Sequence, residues 1–390
     1  MFRPGLLFLF GLLVACDRAE EPKVAGSSEQ RAESPSSEAP AGMVLIPGGS
    51  FEMGGDAGEM EGNSHSHRTA YPIHRVHVDS FWMDETEVTN RQFAEFVEAT
   101  GYVTFAEKPL PQQRVEELKA LAEESLEQHR RAAEVANGKE KEAILASMKR
   151  IEEANKVIHL SGSIIFATPE GALHDPNDVT QWWKLSPGAS WRTPGGPGSN
   201  LTGLEDHPVV CVTYEDALAY AEWAGKRLPT EAEWEKAARA GTERKPYVWG
   251  DEMFPLGEDQ WMANIWQGEW PHNNTQRDGH FTTSPVKSFP PNDYGLYDMA
   301  GNVWELVADL YHPDAYRMRP ANASNPTGPS EDEVQRPGQQ VTYRITRGGS
   351  FLCSDTWCKG YQPGSRQPFD NESPTNHTGF RCVRDAKERN

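Results

Sequence analysis

Cysteine is scarce in this chain, five residues in 390, and basic residues are outnumbered, 38 Lys and Arg against 58 Asp and Glu. Each shortage excludes something. No Cys-x-x-Cys pair occurs, so a four-ligand tetrahedral zinc site has no framework. A formal charge of −20 argues against nucleic acid or an anionic membrane surface as partner, because phosphate contacts need clustered Lys and Arg. Regular hydrophobic periodicity is also sparse, and the apolar stretch 6–14 is too short to span a bilayer as a mature helix.

That stretch has a different reading. Arg3 supplies a positive end, and Leu13-Val14-Ala15-Cys16 has the form of a bacterial lipobox. Residues 1–16 are therefore expected to be a lipoprotein signal, with Cys16 as the lipidated first residue of the mature chain. Residues 17–41, rich in Glu, Ser, Pro and Ala, read as a disordered tether. The expected product is exported and lipid-anchored on the periplasmic side of the envelope, held to the membrane by lipid alone. The choice between inner and outer membrane is open. Five Asn-x-Ser/Thr sequons receive no glycan in this reading.

Two of the cysteines, Cys353 and Cys358, follow a Gly348-Gly349 turn at a separation of five. Such a pair is either a small disulfide loop, which an exported chain forms readily, or a thiolate site. Two soft sulfurs alone suit linear Cu(I), with a position left open for a substrate thiol and dioxygen. Spacing by itself leaves both possibilities standing.

The surrounding motifs bear on that choice. They include Met43-Val44-Leu45-Ile46-Pro47-Gly48-Gly49, Asp84-Glu85-Thr86-Glu87-Val88-Thr89-Asn90 and Gly225-Lys226-Arg227-Leu228-Pro229-Thr230-Glu231. Further on come Asn264-Ile265-Trp266-Gln267-Gly268-Glu269, Gly301-Asn302-Val303-Trp304-Glu305 and Gly379-Phe380-Arg381-Cys382. Over roughly residues 42–385 the chain resembles the formylglycine-generating, or sulfatase-modifying factor, enzymes. The resemblance implies an α+β domain over 42–388 with a modified C-type-lectin-like fold and little regular secondary structure. It also implies a monomer that uses O2 to oxidise a cysteine in an unfolded sulfatase-type Cys-x-Pro-x-Arg segment to formylglycine. A lectin-like binding protein on the same scaffold and an oxidase acting on a different thiol peptide are the alternatives. The thiol pair speaks against the first of these.

The resemblance assigns roles residue by residue. Cys353 and Cys358 match the copper-binding pair, Ser350 a serine near the oxygen pocket, Trp304 a tryptophan lining it, and Arg366 an arginine of the substrate cleft. One structural calcium is placed at Asn264, Asp278 and the carbonyls of Ile265 and His280, and a second at Asp298, Glu305 and the carbonyls of Gly301 and Val303. These are the oxygen donors that a hard cation takes. Cys382 matches a cysteine that is bonded in some members; with that partner absent, Cys211 is the remaining thiol and a Cys211–Cys382 disulfide is expected, two buried reduced cysteines packing as small hydrophobes being the alternative. Ser354, Trp357, Pro363 and the run from Gln367 to Ser373 depart from the family pattern. They leave the sulfur ligands intact and alter the cleft. The pairs His65/His67 and His74/His77 read as solvated surface histidines.

Local signals place the elements. Thr89 with Gln92, Thr213 with Asp216, and Thr230 with Glu233 each predict a capped helix start. Short strands are expected at 43–46, 76–78, 209–212 and 344–347. Residues 112–157 read as an inserted helical hairpin turning at Asn137-Gly138, with Val115, Leu118 and Leu121 facing Ile144, Leu145, Met148 and Ile151. Its expected role is a surface spacer, with a docking arm for a partner as the alternative.

Overall fold

The computed structural model describes residues 39–55, 69–173, 178–257, 260–335 and 343–386, so Cys16, His65 and His67 lie outside the described residues. Strands β1 (Met43–Ile46), β2 (Gly49–Met53), β3 (His74–Val78) and β4 (Phe81–Asp84) lead into helix α1 (Asn90–Thr100). Two long helices, α2 (Gln112–Val135) and α3 (Gly138–Val157), precede β5 (Gly162–Phe166) and β6 (Trp183–Pro187). After α4 (Tyr214–Trp223) and α5 (Glu231–Arg239), the described residues up to 303 form no helix or strand. The remaining strands are β7 (Trp304–Leu310), β8 (Ala323–Ser324), β9 (Tyr343–Arg347), β10 (Gln367–Asp370), β11 (Thr378–Gly379) and β12 (Val383–Asp385).

All three capped helix starts form. The Thr89 main chain donates to Gln92 Oε1 at 2.9 Å, Thr213 to Asp216 Oδ2 at 2.9 Å and Thr230 to Glu233 Oε2 at 2.8 Å. Each threonine hydroxyl in turn accepts from the main chain three residues on, which satisfies donors a helix start would otherwise orphan. The predicted strand at 209–212 does not form. Cys211 sits at φ 60° and turns the chain, while Val209 and Cys211 donate to the carbonyls of Val88 and Thr375, each at 2.9 Å. The apolar run reflects burial on all sides rather than a ladder.

Small sheets carry the domain. β7 and β9 form the centre of the sheet β10-β9-β7-β11; β4 is the middle strand of β1-β4-β12, and β3 that of β2-β3-β8. One core surrounds Trp234, Trp304, Tyr316 and Ile345; another gathers Phe93, Phe96, Trp191, Tyr220, Phe380 and Cys382. The expected Cys211–Cys382 disulfide is absent, and both are buried free thiols. They belong to different clusters, Cys211 with Val210 and Val303, Cys382 with the phenylalanines. Burial pushes the Cys211 thiol up to about 12 and raises that of Cys382 as well, so both pack as small hydrophobes.

Residues 112–157 form two antiparallel helices. Val115 and Leu118 meet Ile158, Ala122 and Leu126 meet Ile151, and Ser147 Oγ lies 3.3 Å from His129 Nε2. The buried stripe on α2 runs through Ala122 and Leu126 rather than Leu121, and Leu145 is 49% exposed.

Charge is buried beneath β9. Arg347 donates to Glu231 at 3.0 Å and to Glu235 at 2.5 Å, and Arg366 donates to Glu231 at 2.6 Å, with all four side chains essentially inaccessible. Burial alone would raise the Glu231 carboxyl, yet Arg366, Arg347 and Arg319 outweigh it and hold it at about 2. Asp309 behaves oppositely, since burial and the neighbouring Glu231 charge push it up to about 7.

The two shifts act on stability with opposite sign. Folding takes up a proton at Asp309, so lowering the pH from about 8 to about 6 should stabilise the protein. Below the ordinary glutamate value of 4.5, the native state must protonate Glu231 against its arginines, and stability should fall toward about pH 2. Melting temperature followed across pH should therefore peak on the mildly acidic side. Asp309→Asn should shrink the neutral-side gain, leaving the share of other buried carboxyls such as Asp298, and keep the acid-side loss.

Candidate active site

β9 delivers the cysteine loop. Gly348 and Gly349 turn the chain at φ 89° and 75°, and a Cβ on Gly349 would stand 2.5 Å from the Tyr361 nitrogen, so only glycine passes here. Ser350 closes the next turn, its carbonyl accepting from Cys353 N at 2.9 Å. Its Oγ accepts from Leu352 N at 3.3 Å, and the residue is buried.

The structure joins Cys353 and Cys358 as a disulfide with Cα atoms 5.2 Å apart. Cys353 is 1% exposed, whereas Cys358 is half-buried at the edge of the same core. Trp304, the first residue of β7, packs beside the pair. A Cβ on Gly360 would lie 2.4 Å from Trp304 Cζ2 and 2.9 Å from Cys353 Sγ, which shows how closely indole, main chain and sulfur meet. Ser350, Trp304, Cys353 and Cys358 are thus brought together by two adjacent strands and one turn.

An aromatic wall flanks the loop. Trp357 lies between the two cysteines in sequence, stacks on Trp270 at 5.7 Å and 16°, and meets the edge of Trp182 at 5.3 Å and 90°. Trp266 and Phe166 extend the wall, and the half-exposed Trp183 packs against His377 at 4.6 Å. The ring nitrogens of Trp182, Trp266 and Trp270 are buried with no partner among the described residues.

The loop also anchors the polar segments around it. Trp266 N donates to the Cys353 carbonyl at 2.9 Å, Gly301 N to Gly348 O at 2.8 Å and Phe351 N to Asn302 O at 2.9 Å. Among the first set of expected calcium ligands, Asp278 accepts from Ile265 N at 3.1 Å and from His280 N at 3.0 Å. Gln267 Nε2 donates to the Ile265 carbonyl and to Asp278. Asn264 Oδ1 is buried with no partner among the described residues. The unpartnered amide oxygen of Asn264, the Asp278 carboxylate and the Ile265 carbonyl are the oxygen types that a hard cation takes.

In the second set, Glu305 is held by Arg381 through two 2.7 Å contacts and by Trp234 Nε1 at 2.8 Å. Asp298 accepts from Lys287 N at 2.9 Å, and burial pushes its carboxyl up to about 6. Sequence reasoning missed Glu87, which sits in one of the family-like motifs. It is fully buried, its Oε2 lies 4.0 Å from Arg381 Nη2 with no hydrogen-bond partner among the described residues, and burial with the Asp298 charge raises its pKa. Burial opposes ionising Glu87 and Asp298 beside the Glu305–Arg381 pair, and a cation at this place would favour their ionised forms. No cluster of three His, Cys, Asp or Glu side chains is assembled for a metal among the described residues, so both sets depend on amide and main-chain oxygens.

Two expectations need correction. Arg366 does not line a cleft: it is fully buried, and its donors go to Glu231 and to the carbonyls of Thr69 and His312 at 3.2 and 3.1 Å. A guanidinium so deep is retained because a carboxylate and main-chain oxygens surround it. His74 is likewise no solvated histidine, since its ring lies 3.0 Å from Arg319 Nη1 and 4.6 Å from the Tyr316 ring, and burial lowers its pKa. His77 does stay exposed, beside Asp79.

A loop-dominated α+β domain carrying a cysteine pair against a tryptophan on small sheets defines a modified C-type-lectin-like domain. The chain belongs to the sulfatase-modifying factor family, whose enzyme 1-like domain matches residues 28–386. A formylglycine-generating enzyme of Streptomyces coelicolor is 39% identical over 345 residues, covering 88% of this chain and 90% of that protein. The enzyme of that name from Mycobacterium tuberculosis is 39% identical over 343 residues, 88% of this chain and 97% of its own. A Bos taurus protein named inactive C-alpha-formylglycine-generating enzyme 2 is 35% identical over 279 residues, 71% of this chain and 73% of that one. A solved structure of PvdO from Pseudomonas aeruginosa aligns over 88% of this chain and 94% of that chain at 22% identity, with a TM-score of 0.48.

The contact between Trp304 and Cys353 gives a test. Gly360→Ala forces a methyl group into both, and overpacking of this kind should cost about 1–3 kcal/mol. Urea denaturation should show that loss, with the near-ultraviolet tryptophan signal altered in the folded state.

Proposed function

We propose that this chain oxidises a cysteine in a sulfatase-type Cys-x-Pro-x-Arg segment to formylglycine, using O2 and a Cu(I) ion held by reduced Cys353 and Cys358. The observation that carries the reading is two sulfurs side by side, one buried and one half-exposed, against Trp304. Family membership over residues 28–386 and the names of the bacterial relatives support sulfatase maturation. A pair of thiolates is a soft donor set that suits Cu(I). When bound, the ion supplies redox chemistry toward dioxygen and favours the thiolate form of a third, substrate sulfur.

The chain's own residues prepare the place. The glycine turn fixes both sulfurs, Trp304 excludes water from the Cys353 side, and the Trp270–Trp357 stack offers an apolar wall to the peptide. Ser350 would stand beside the oxygen pocket. Since Cys353 and Cys358 are joined, two electrons and two protons from a thiol reductant must first reduce the disulfide. In turnover the substrate R–CH2–SH becomes R–CHO with its sulfur leaving as sulfide and gives O2 two electrons, and the two more that take O2 to water come from the same thiol reductant.

Structural calcium would occupy the Asn264–Asp278 set and the Asp298–Glu305 set, the latter with Glu87 close by. The protein would act as an exported monomer tethered by acylated Cys16 and reach unfolded sulfatase chains through the linker. Residues 1–38 lie outside the described part, and no described helix is long and apolar enough to cross a membrane.

Reduced protein should bind one equivalent of Cu(I) and convert a Cys-x-Pro-x-Arg peptide to its aldehyde, read by mass spectrometry. Cys353→Ser and Cys358→Ser should each abolish both binding and conversion. Peptide capture without conversion by copper-loaded protein would favour the lectin-like alternative, and conversion of unrelated thiol peptides alone would favour the third.

Calcium should raise the melting temperature by mass action, contributing about 2.7 kcal/mol when its concentration is a hundred times Kd. Asn264→Ala should blunt the effect. A melting curve indifferent to calcium and chelator alike would remove these ions from the account.

A further inference from the structure

We propose that the α2–α3 hairpin sets the position of the aromatic wall beside the cysteine loop, and that Arg150 is the positioning residue through which it acts. This inference rests on the oxidase reading for its functional consequence, while its structural part is measurable without turnover. The chain of contacts is short. On α3, Arg150 donates through Nη2 to Asp178 and through Nε to Thr180 Oγ1 at 2.9 Å. Asp178 also accepts from Thr180 N at 3.1 Å and Thr180 Oγ1 at 2.5 Å, closing a turn over Val179–Gln181.

That turn leads directly to the wall. Trp182 N donates to Val179 O at 3.2 Å, and Ala167 N donates to Trp182 O at 2.8 Å. Trp182 is fully buried, with its ring edge on Trp357 at 5.3 Å and on Trp270 at 6.2 Å. Trp357 belongs to the loop closed by Cys353 and Cys358. One guanidinium on the hairpin is thus separated from the loop that holds the sulfurs by a turn and one indole, that of Trp182.

Burial distinguishes this pair, and Arg114 with Glu117 on α2, from the exposed ion pairs of the hairpin. The Arg150 and Asp178 side chains are 22% and 10% exposed, whereas Arg130 and its partners Glu123 and Glu127 are 43%, 63% and 49% exposed. Exposed pairs of the second kind contribute little; removing one partner of a sheltered pair leaves a carboxylate without its charge partner and lets its turn relax. A second sheltered contact, Arg114 with Glu372, holds the base of α2 to the segment after β10. The hairpin is therefore docked at both ends of the cleft-forming chain and is not a freely solvated spacer.

The full chain carrying Arg150→Ala tests the idea, with Arg130→Ala as control. Arg150→Ala should raise KM for a Cys-x-Pro-x-Arg peptide roughly tenfold and leave kcat within about twofold, since a misplaced wall costs binding rather than chemistry. Acrylamide quenching of tryptophan fluorescence should increase, and Cu(I) stoichiometry should stay at the native value. Arg150→Lys should recover most of KM, because an ammonium can still pair with Asp178. In a Trp357→Phe background, the change in quenching caused by Arg150→Ala should shrink. Native KM and native quenching in Arg150→Ala would overturn the inference, as would an equal change in Arg130→Ala or joint loss of kcat and copper binding. If the native protein leaves the peptide unconverted, the oxidase reading fails, and quenching with its dependence on Trp357 still decides whether Arg150 positions the wall.

Discussion

Arg347 is the residue on which the architecture hangs. It is the last residue of β9, immediately before the glycine turn that carries the cysteine loop, and its guanidinium is fixed by Glu231 and Glu235 from α5. Glu235 also accepts from Gly54 N at 2.7 Å at the end of β2, and Arg239 donates to Gly54 O at 2.7 Å. Glu231 takes Arg366 from the start of β10 and Tyr316 Oη at 3.1 Å. One helix, two sheets and the cysteine turn are thereby registered to each other by paired charges, and each remains buried only because its partner is present.

Around that hub the domain solves a problem created by its own composition. Long stretches without helix or strand must still satisfy their main-chain donors and acceptors. Here the loops do so by bonding to one another and to side chains such as Asn302, which accepts from Ser284 N at 2.9 Å and donates to Glu87 at 3.1 Å. Aromatic rings then fill the spaces between loops, where offset and edge-on contacts pack irregular shapes. The same loops hold the oxygen-rich sets proposed for calcium, and an ion that binds only the ordered loop would add its binding free energy to folding.

The cleft shows why family membership and activity are separate statements. The scaffold is shared with a relative named as inactive, so chemistry has to be argued from the sulfur pair and its surroundings. In this chain a charged hairpin is joined through Asp178 and Thr180 to the turn that precedes the tryptophans next to the sulfurs. Two of the places that differ from the family pattern, Trp357 and the run from Gln367 to Ser373, are touched by the hairpin or its neighbours.

What was legible from sequence was local. The capped starts at Thr89, Thr213 and Thr230, the glycine turn and the five-residue cysteine spacing each depend on residues within one or two turns of each other, so composition at fixed offsets was enough to find them. The hairpin was visible for the same reason, although which leucines face inward was not, because a helix stripe is chosen by what packs on it. Tertiary structure alone decided the fate of Arg366, paired with a glutamate 135 positions away. It separated Cys211 from Cys382 and bent the chain at Cys211 where an apolar run had suggested a strand. It also brought Glu87 to Asp298 and Arg381, and Arg150 to the turn before Trp182. These outcomes depend on contacts between distant segments, and in a loop-rich fold no periodicity records which distant segment a buried charge or thiol will meet.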